Sequence, residues 1–142
     1  MSDFGNPIHQ YSASAIQSAE IGYIDRHVFD EVVKKNNELA MSVIRKLSLD
    51  GLFIFDRLIS LSHKQLPGRI ADVILYFADE IFKKEEFEFP LTRRELAELA
   101  GTTKESFIRT LAEFKNDKII SLEDSMVSIR SMKIIRTLSE LG

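Results

Sequence analysis

The 142 residues include no cysteine, no tryptophan, three prolines and three histidines. Without cysteine there are no disulfides, thiolate zinc sites, cysteine-ligated iron–sulfur clusters or cysteine nucleophiles. His9, His27 and His63 stand in unrelated segments with no His-x-x-x-His spacing, so packing or surface roles suit them and neither a metal nor a cofactor is expected. No run approaches the roughly 20 apolar residues of a membrane span, and the opening MSDFGNPIHQ lacks both a basic start and an apolar stretch. A cytoplasmic location is expected. Excess positive charge is missing as well: 19 Lys and Arg face 22 Asp and Glu, and the parts up to and after Gly68 carry 7 against 8 and 12 against 14. A nucleic-acid binder of this composition must rely on a local arrangement of basic side chains, with modest, salt-sensitive non-specific affinity. No nucleophile–base constellation, metal cluster or glycine-rich phosphate loop is visible, which makes an enzyme the weakest reading.

What the chain does have is 44% hydrophobic and 29% charged residues, ample for a packed core. From Ser12 to Asp25 small or polar residues alternate with apolar ones, predicting two short strands. Asp25 then reads as the N-cap of a helix whose buried face is Val28, Phe29, Val32 and Val33. Two strands alone make a marginal sheet, so this piece reads as incomplete.

From Asn36 or Asn37 to about Lys64, apolar or small residues recur at Ala40, Ile44, Leu47, Gly51, Ile54, Leu58 and Leu61, spaced 4, 3, 4, 3, 4 and 3. That is a heptad seam, and with its flanking charges it predicts a two-stranded coil between copies of the chain. At ~1.5 Å per residue the helix would run about 40 Å, more than a small domain can cover. Burial within one globule is the alternative. Gly51 implies close approach of a neighbour, because glycine costs about 1 kcal/mol against alanine inside a helix. A second stripe, Leu52, Phe55 and Ile59, is placed to receive the N-terminal strands. Leu66-Pro67-Gly68 is expected to end the long helix and to mark the domain boundary.

Beyond it, Ile70, Val73, Ile74, Phe77, Ala78 and Ile81 predict a helix over 69–82, and Phe87 to Phe89 a short strand. Thr92-Arg93-Arg94-Glu95 is a capping box. It opens a helix carrying Leu96, Ala97, Leu99 and Ala100 that stops at Gly101. Thr102-Thr103-Lys104-Glu105 then reads as a second Thr-x-x-Glu start, followed by Phe107, Leu111 and Phe114 on one face. Two helices joined through one glycine form a helix-turn-helix. The opposite face of the second presents Lys104, Glu105, Ile108, Arg109 and Ala112 in the turns that reach base edges when such a helix enters the major groove. After Lys118, two strands about Glu123-Asp124 predict a wing, and Ile134, Ile135, Leu138 and Leu141 a closing helix.

The runs GRIADVILYFADEI and FEFPLTRRELAELAGTTKESFIRTLAEFKNDKII, with the wing, resemble the DNA-binding domain of the cyclic-AMP receptor protein/Fnr family of bacterial transcription regulators. The resemblance covers nearly the whole chain and corresponds to the C-terminal two thirds of a family member. It implies a mainly α fold with little β. Residues 1–35 would be the C-terminal remnant of an effector-binding, cyclic-nucleotide-binding-like β-roll, 36–66 the dimerisation helix and 67–142 a winged helix-turn-helix domain. It implies a homodimer on palindromic double-stranded DNA, with RNA polymerase a further candidate partner.

By position, the family's base-reading glutamate and arginine fall on Glu105 and Arg109, Lys104 stands where an arginine is common, and Ile108 where serine or glycine is. Arginine can grip guanine O6 and N7, glutamate can accept from cytosine N4, and an apolar side chain can touch a thymine methyl. Arg93, Thr103 and Ser106 would contact phosphate, which positions without reading. Two plainer roles compete: Glu105 as a capping residue, and Glu105 with Arg109 as an i,i+4 ion pair.

The family's cyclic-phosphate arginine is replaced by Tyr11, and the hydroxyl residues that meet adenine by Ile54 and Phe55. A buried anionic ligand would lose its polar partners, so cyclic AMP is not the expected effector, and the effector is unknown. An effector or protein contact is expected to reposition the domains about residues 65–68; one domain orientation shared by free and DNA-bound protein would contradict this. The alternative to DNA binding is a winged-helix protein-interaction module.

Overall fold

The computed structural model describes residues 8, 12, 13, 15, 16 and 18–142. The readings placed on His9 and Tyr11 fall outside them. Between 12 and 25 the described residues form no strand, contrary to the two expected. A strand needs a neighbouring strand for its N–H and C=O groups, and among the described residues no strand pairs with this stretch; Tyr23 is 94% exposed.

Helix α1, Arg26–Lys35, begins where the sequence predicts, with the Asp25 carboxylate accepting from the backbone N–H groups of His27 at 2.8 Å and Val28 at 3.3 Å. Its expected buried face is only half realised. Phe29 and Val33 are half-buried, Val28 and Val32 are exposed, and no residue of α1 is buried. Asn36 breaks the helix and caps the next, its side chain accepting from Leu39 N at 2.9 Å.

Helix α2, Asn37–His63, is the predicted long helix of 27 residues, and Ser60 alone among them is buried. It ends before the proline rather than at it. Lys64 is extended and Gln65 precedes helix α3, Leu66–Leu75, so Pro67 and Gly68 lie in the first turn of α3. Proline is at home there because first-turn N–H groups have no intrahelical acceptor. Gly68 is required by crowding: a Cβ would stand 2.7 Å from Gly142 Cα and 2.9 Å from Leu138 O.

α3 runs on as a π-helix, Tyr76–Phe82, stopped by Lys83 at φ 56°. Five-residue spacing puts Phe77 and Phe82 on the same face, and their rings, 6.4 Å apart, join Phe87 and Phe89 in one aromatic cluster. Strand β1, Glu86–Glu88, places Phe87 in the core.

Helices α4, Arg93–Leu99, and α5, Lys104–Asn116, follow, then strands β2, Ile120–Glu123, and β3, Met126–Ile129, and helix α6, Met132–Leu141. The wing turns at Asp124 and Ser125, one residue beyond the expected pair, with Asp124 at φ 50°. β3 is the central strand of an antiparallel sheet ordered β1-β3-β2, pairing Phe87 with Val127 and Leu122 with Val127.

The buried residues of the hydrophobic core lie within 70–135, with Phe77, Phe107, Ile70, Ile74, Leu96, Leu111, Ile120 and Ile135 its largest fully buried side chains. Against this compact winged-helix unit α2 projects with its apolar stripes uncovered. No helix is long and apolar enough to cross a membrane among the described residues.

Candidate nucleic-acid interface

The capping box at α4 forms in full. Thr92 donates from its N–H at 2.8 Å and its hydroxyl at 2.7 Å to Glu95 Oε2, and its hydroxyl accepts from Glu95 N. These bonds, the hydroxyl's first, hold the Glu95 carboxyl below its ordinary pKa. A depressed folded-state pKa stabilises above the unfolded-state value and is lost as pH falls through the folded one. In an NMR titration, Glu95 is expected to titrate below the usual carboxylate range and to rise toward it in Thr92→Val. Equal titration in both proteins would contradict the hydroxyl's role.

α4 closes on Gly101 at φ +62°, with Gly101 N donating to Glu98 O at 3.1 Å and Thr102 N to Ala97 O at 2.9 Å, the paired bonds of a Schellman turn. A Cβ on Gly101 would meet Leu61 Cδ2 at 2.5 Å. The turn therefore needs glycine twice over, for its backbone and for the side chain of α2 seated on it. Gly101→Ala combines left-handed strain of about 1 to 2 kcal/mol with displacement of Leu61. A lower urea midpoint is expected, and an unchanged one would contradict this packing.

The cap of α5 differs from the expected one. Thr103, not Thr102, is the N-cap, accepting from Ser106 N at 3.2 Å and donating its hydroxyl to Ser106 Oγ at 3.1 Å. The third helical position is therefore Ser106, and Glu105 caps nothing. Nor does the alternative ion pair form: among the described residues none partners the side chains of Lys104, Glu105 or Arg109. Phe107, Thr110, Leu111 and Phe114 face the core, while Lys104, Glu105, Ile108, Arg109 and Ala112 lie exposed on the other side, Ile108 at 43%. Two cations, an anion and an apolar side chain thus share one solvent-facing surface at the N-terminal half of a rigid helix. Thr103 and Ser106 sit at its start, where free backbone N–H groups favour anions.

Arg93 stands apart from that surface. Its guanidinium lies 5.6 Å from the centre of the Phe89 ring and donates to the Asp124 carbonyl, with Nη1 buried and unpartnered. Burial lowers its pKa and the charge of Asp124 opposes this. In this structure Arg93 holds the turn of the wing.

On α2 the residues of the heptad seam, Ile44, Leu47, Ile54, Leu58 and Leu61, are all exposed, Ile54 at 67%, and among the described residues nothing beyond the helix's own backbone lies within 4 Å of a Cβ on Gly51. The second stripe, Leu52, Phe55 and Ile59, is also exposed rather than covered by N-terminal strands. Three polar residues in the same region escaped sequence reasoning. Arg57 and Arg69 donate to carbonyls of the Gly101 turn, and Asp72 collects donors from α2, from Lys64 in the link after it and from α6. The available signal was a charge on an otherwise apolar face: Asp72 sits between Ala71 and Val73, which are wholly buried.

Residues 68–141 match the Crp-like helix-turn-helix domain. The fumarate and nitrate reduction regulatory protein of Yersinia pestis is 24% identical over 135 residues, 92% of this chain and 54% of that protein. The Vibrio cholerae protein of the same name is 25% identical over 85% of this chain and 50% of its own length. The chain thus spans about half the length of these curated relatives, not two thirds. Among solved structures, FixK2 from Bradyrhizobium japonicum superposes with a TM-score of 0.76 at 16% identity, over 81% of this chain and 59% of its own. A Crp/Fnr-family regulator from Thermus thermophilus gives 0.64 at 20% identity, over 74% and 56%. With more than half of its residues matched by the Crp-like helix-turn-helix model, the chain belongs to the Crp/Fnr family of transcription regulators.

Proposed function

We propose that this protein binds DNA sequence-specifically as a homodimer, reading a palindromic operator with α5 of each copy. The observation that carries the reading is the outer face of α5, where Lys104, Glu105, Ile108 and Arg109 are exposed and the three charged side chains are unpartnered. Side chains engaged in caps or ion pairs would have to break them to reach bases; these need not. Arg109 supplies a bidentate donor for guanine, Glu105 an acceptor for cytosine, and Ile108 a surface for a thymine methyl. Thr103 and Ser106 contact phosphate and set the register, and Arg93 acts at the phosphate backbone or through the wing that it holds.

The exposed seam on α2, Ile44, Leu47, Gly51, Ile54, Leu58 and Leu61, supports pairing of two copies. The boundaries proposed with it are residues 1–35, then 36–66 for the dimerisation helix together with its link and the first residue of α3, and 67–142 for the DNA-binding unit. The relatives named as regulators support a non-enzymatic role. The reading also takes in a cytoplasmic location, RNA polymerase as a further partner and, because Ile54 and Phe55 are apolar, an effector other than cyclic AMP. Selection from a randomised duplex pool at near-physiological salt tests the reading. A two-fold symmetric motif with half-sites about one helical turn, ~34 Å, apart is expected. Failure to enrich any motif would favour the winged-helix interaction module, toward which the net charge of −3 already leans.

A further inference from the structure

Two residues of extended backbone, Lys64 and Gln65, are the sole covalent link between α2 and α3. Side chains tie the helices together on both sides of that link. On one side Arg57 Nη2 donates to Leu99 O at 2.5 Å, and Arg69 donates from Nε to Ala100 O at 2.9 Å and from Nη1 to Lys64 O at 2.9 Å. Leu99 and Ala100 end α4, where carbonyls lack intrahelical donors and positive charge is favoured. Leu61 packs on the same turn at Gly101. On the other side Asp72 of α3 accepts from Ser60 Oγ at 2.5 Å and from Lys64 Nζ at 2.8 and 2.9 Å, both on the α2 side, and from Ser139 Oγ of α6 at 2.5 Å. Both carboxylate oxygens are occupied, and the Asp72 and Lys64 side chains are 13% and 23% exposed. Charge-assisted bonds with little access to water are directional and resist rearrangement.

Building on the DNA-reading proposal, we propose that Asp72 and Arg57 are spacing-determining residues. By fixing the helix-turn-helix on the end of the dimerisation helix, they fix the separation and rotation between the two copies of α5, and so the one distance between half-sites that the dimer accepts. The geometry of DNA makes this selective. One inserted base pair rotates the second half-site by about 35°, since a turn takes ~10 to 10.5 base pairs. A pair of latched domains cannot follow that rotation, whereas domains swinging on two residues of backbone can.

The test uses the full chain with Asp72→Asn and Arg57→Gln, titrated on duplexes whose selected half-sites are moved one or two base pairs closer or further apart. The parent is expected to lose about tenfold in affinity for a one-base-pair change, and each variant less than about threefold, tenfold being ~1.4 kcal/mol. Base preference within a half-site should be the same in all three proteins. A variant that keeps the parent's spacing profile overturns the assignment while leaving the DNA reading intact. A parent that binds none of the duplexes overturns both.

A second measurement needs no DNA. The chain has no cysteine, so Arg45→Cys and Glu113→Cys allow one spin label on α2 and one on α5, with labelled protein diluted into unlabelled. The electron–electron distance distribution is expected to be narrow in the parent, broad in Asp72→Asn, and intermediate in Ser139→Ala, which removes one donor from Asp72. Equal widths in the three overturn the latch.

Discussion

Replacing Ile54 with glutamate is expected to convert a dimer into a monomer and to weaken binding to a two-fold symmetric site by about 10²- to 10⁴-fold, the avidity that joining two sites supplies. Ile54 lies mid-seam, is 67% exposed and belongs to no part of the buried core. The substitution therefore spares the winged-helix core, which lies wholly beyond residue 69. In a dimer, seam residues related by the two-fold face each other, so the change buries two like charges where apolar contact was required. Affinity for an isolated half-site should be unaffected, because Lys104, Glu105 and Arg109 on the outer face of α5 have no hydrogen bond or ion pair to α2 among the described residues. Sedimentation equilibrium and fluorescence anisotropy on one- and two-site duplexes check both halves of the expectation. A parent that sediments as a monomer, or a variant that remains a dimer, would remove the seam from the account.

Arg109→Ala is expected to cost about 1 to 3 kcal/mol on the best site and to relax preference at one base pair per half-site. The guanidinium is exposed and has no partner among the described residues, so its removal breaks no bond among them, and the loss reads as lost contact with DNA. The two roles open to an arginine separate cleanly. A base contact costs affinity only where its base pair is present, whereas a phosphate contact weakens all sequences alike and reduces the slope of affinity against salt by about one. Competition titrations against duplexes changed at single base pairs distinguish them, and a uniform loss would move Arg109 to the phosphate group. Glu105 is open to the same test. Because Thr103 and Ser106 make the cap, Glu105→Gln should leave the thermal midpoint unchanged while altering base preference.

Local rules were legible in the sequence wherever one residue decides one backbone feature. Asp25, Thr92 and Gly101 start or stop helices as their chemistry dictates, and the periodicity of Phe107, Leu111 and Phe114 fixes which face of α5 is buried. The sequence misled where two residues offered the same chemistry. Thr102 and Thr103 can each cap α5, and the Schellman bond from Thr102 N to Ala97 O commits Thr102 to the preceding turn. Pro67 likewise looked like a terminator, although proline suits the first turn of a helix as well as the end of one, and only the extended backbone at Lys64 shows which holds. The alternation between Ser12 and Asp25 is compatible with strands but brings no partner for them. The latch was illegible for a different reason. Asp72, Ser60 and Ser139 are separated by 12 and 67 positions along the chain, and no periodicity links them.

The most direct measurement is guanine N7-methylation interference on a duplex recovered by selection, comparing the parent with Arg109→Ala. N7 is one of the two atoms that a bidentate arginine grips. In the parent, methylation is expected to block binding at one guanine in each half-site, the two related by the dyad and about one helical turn apart, ~34 Å. In Arg109→Ala, those two guanines should no longer interfere. Interference at no guanine, or an identical pattern in both proteins, would contradict base reading by α5.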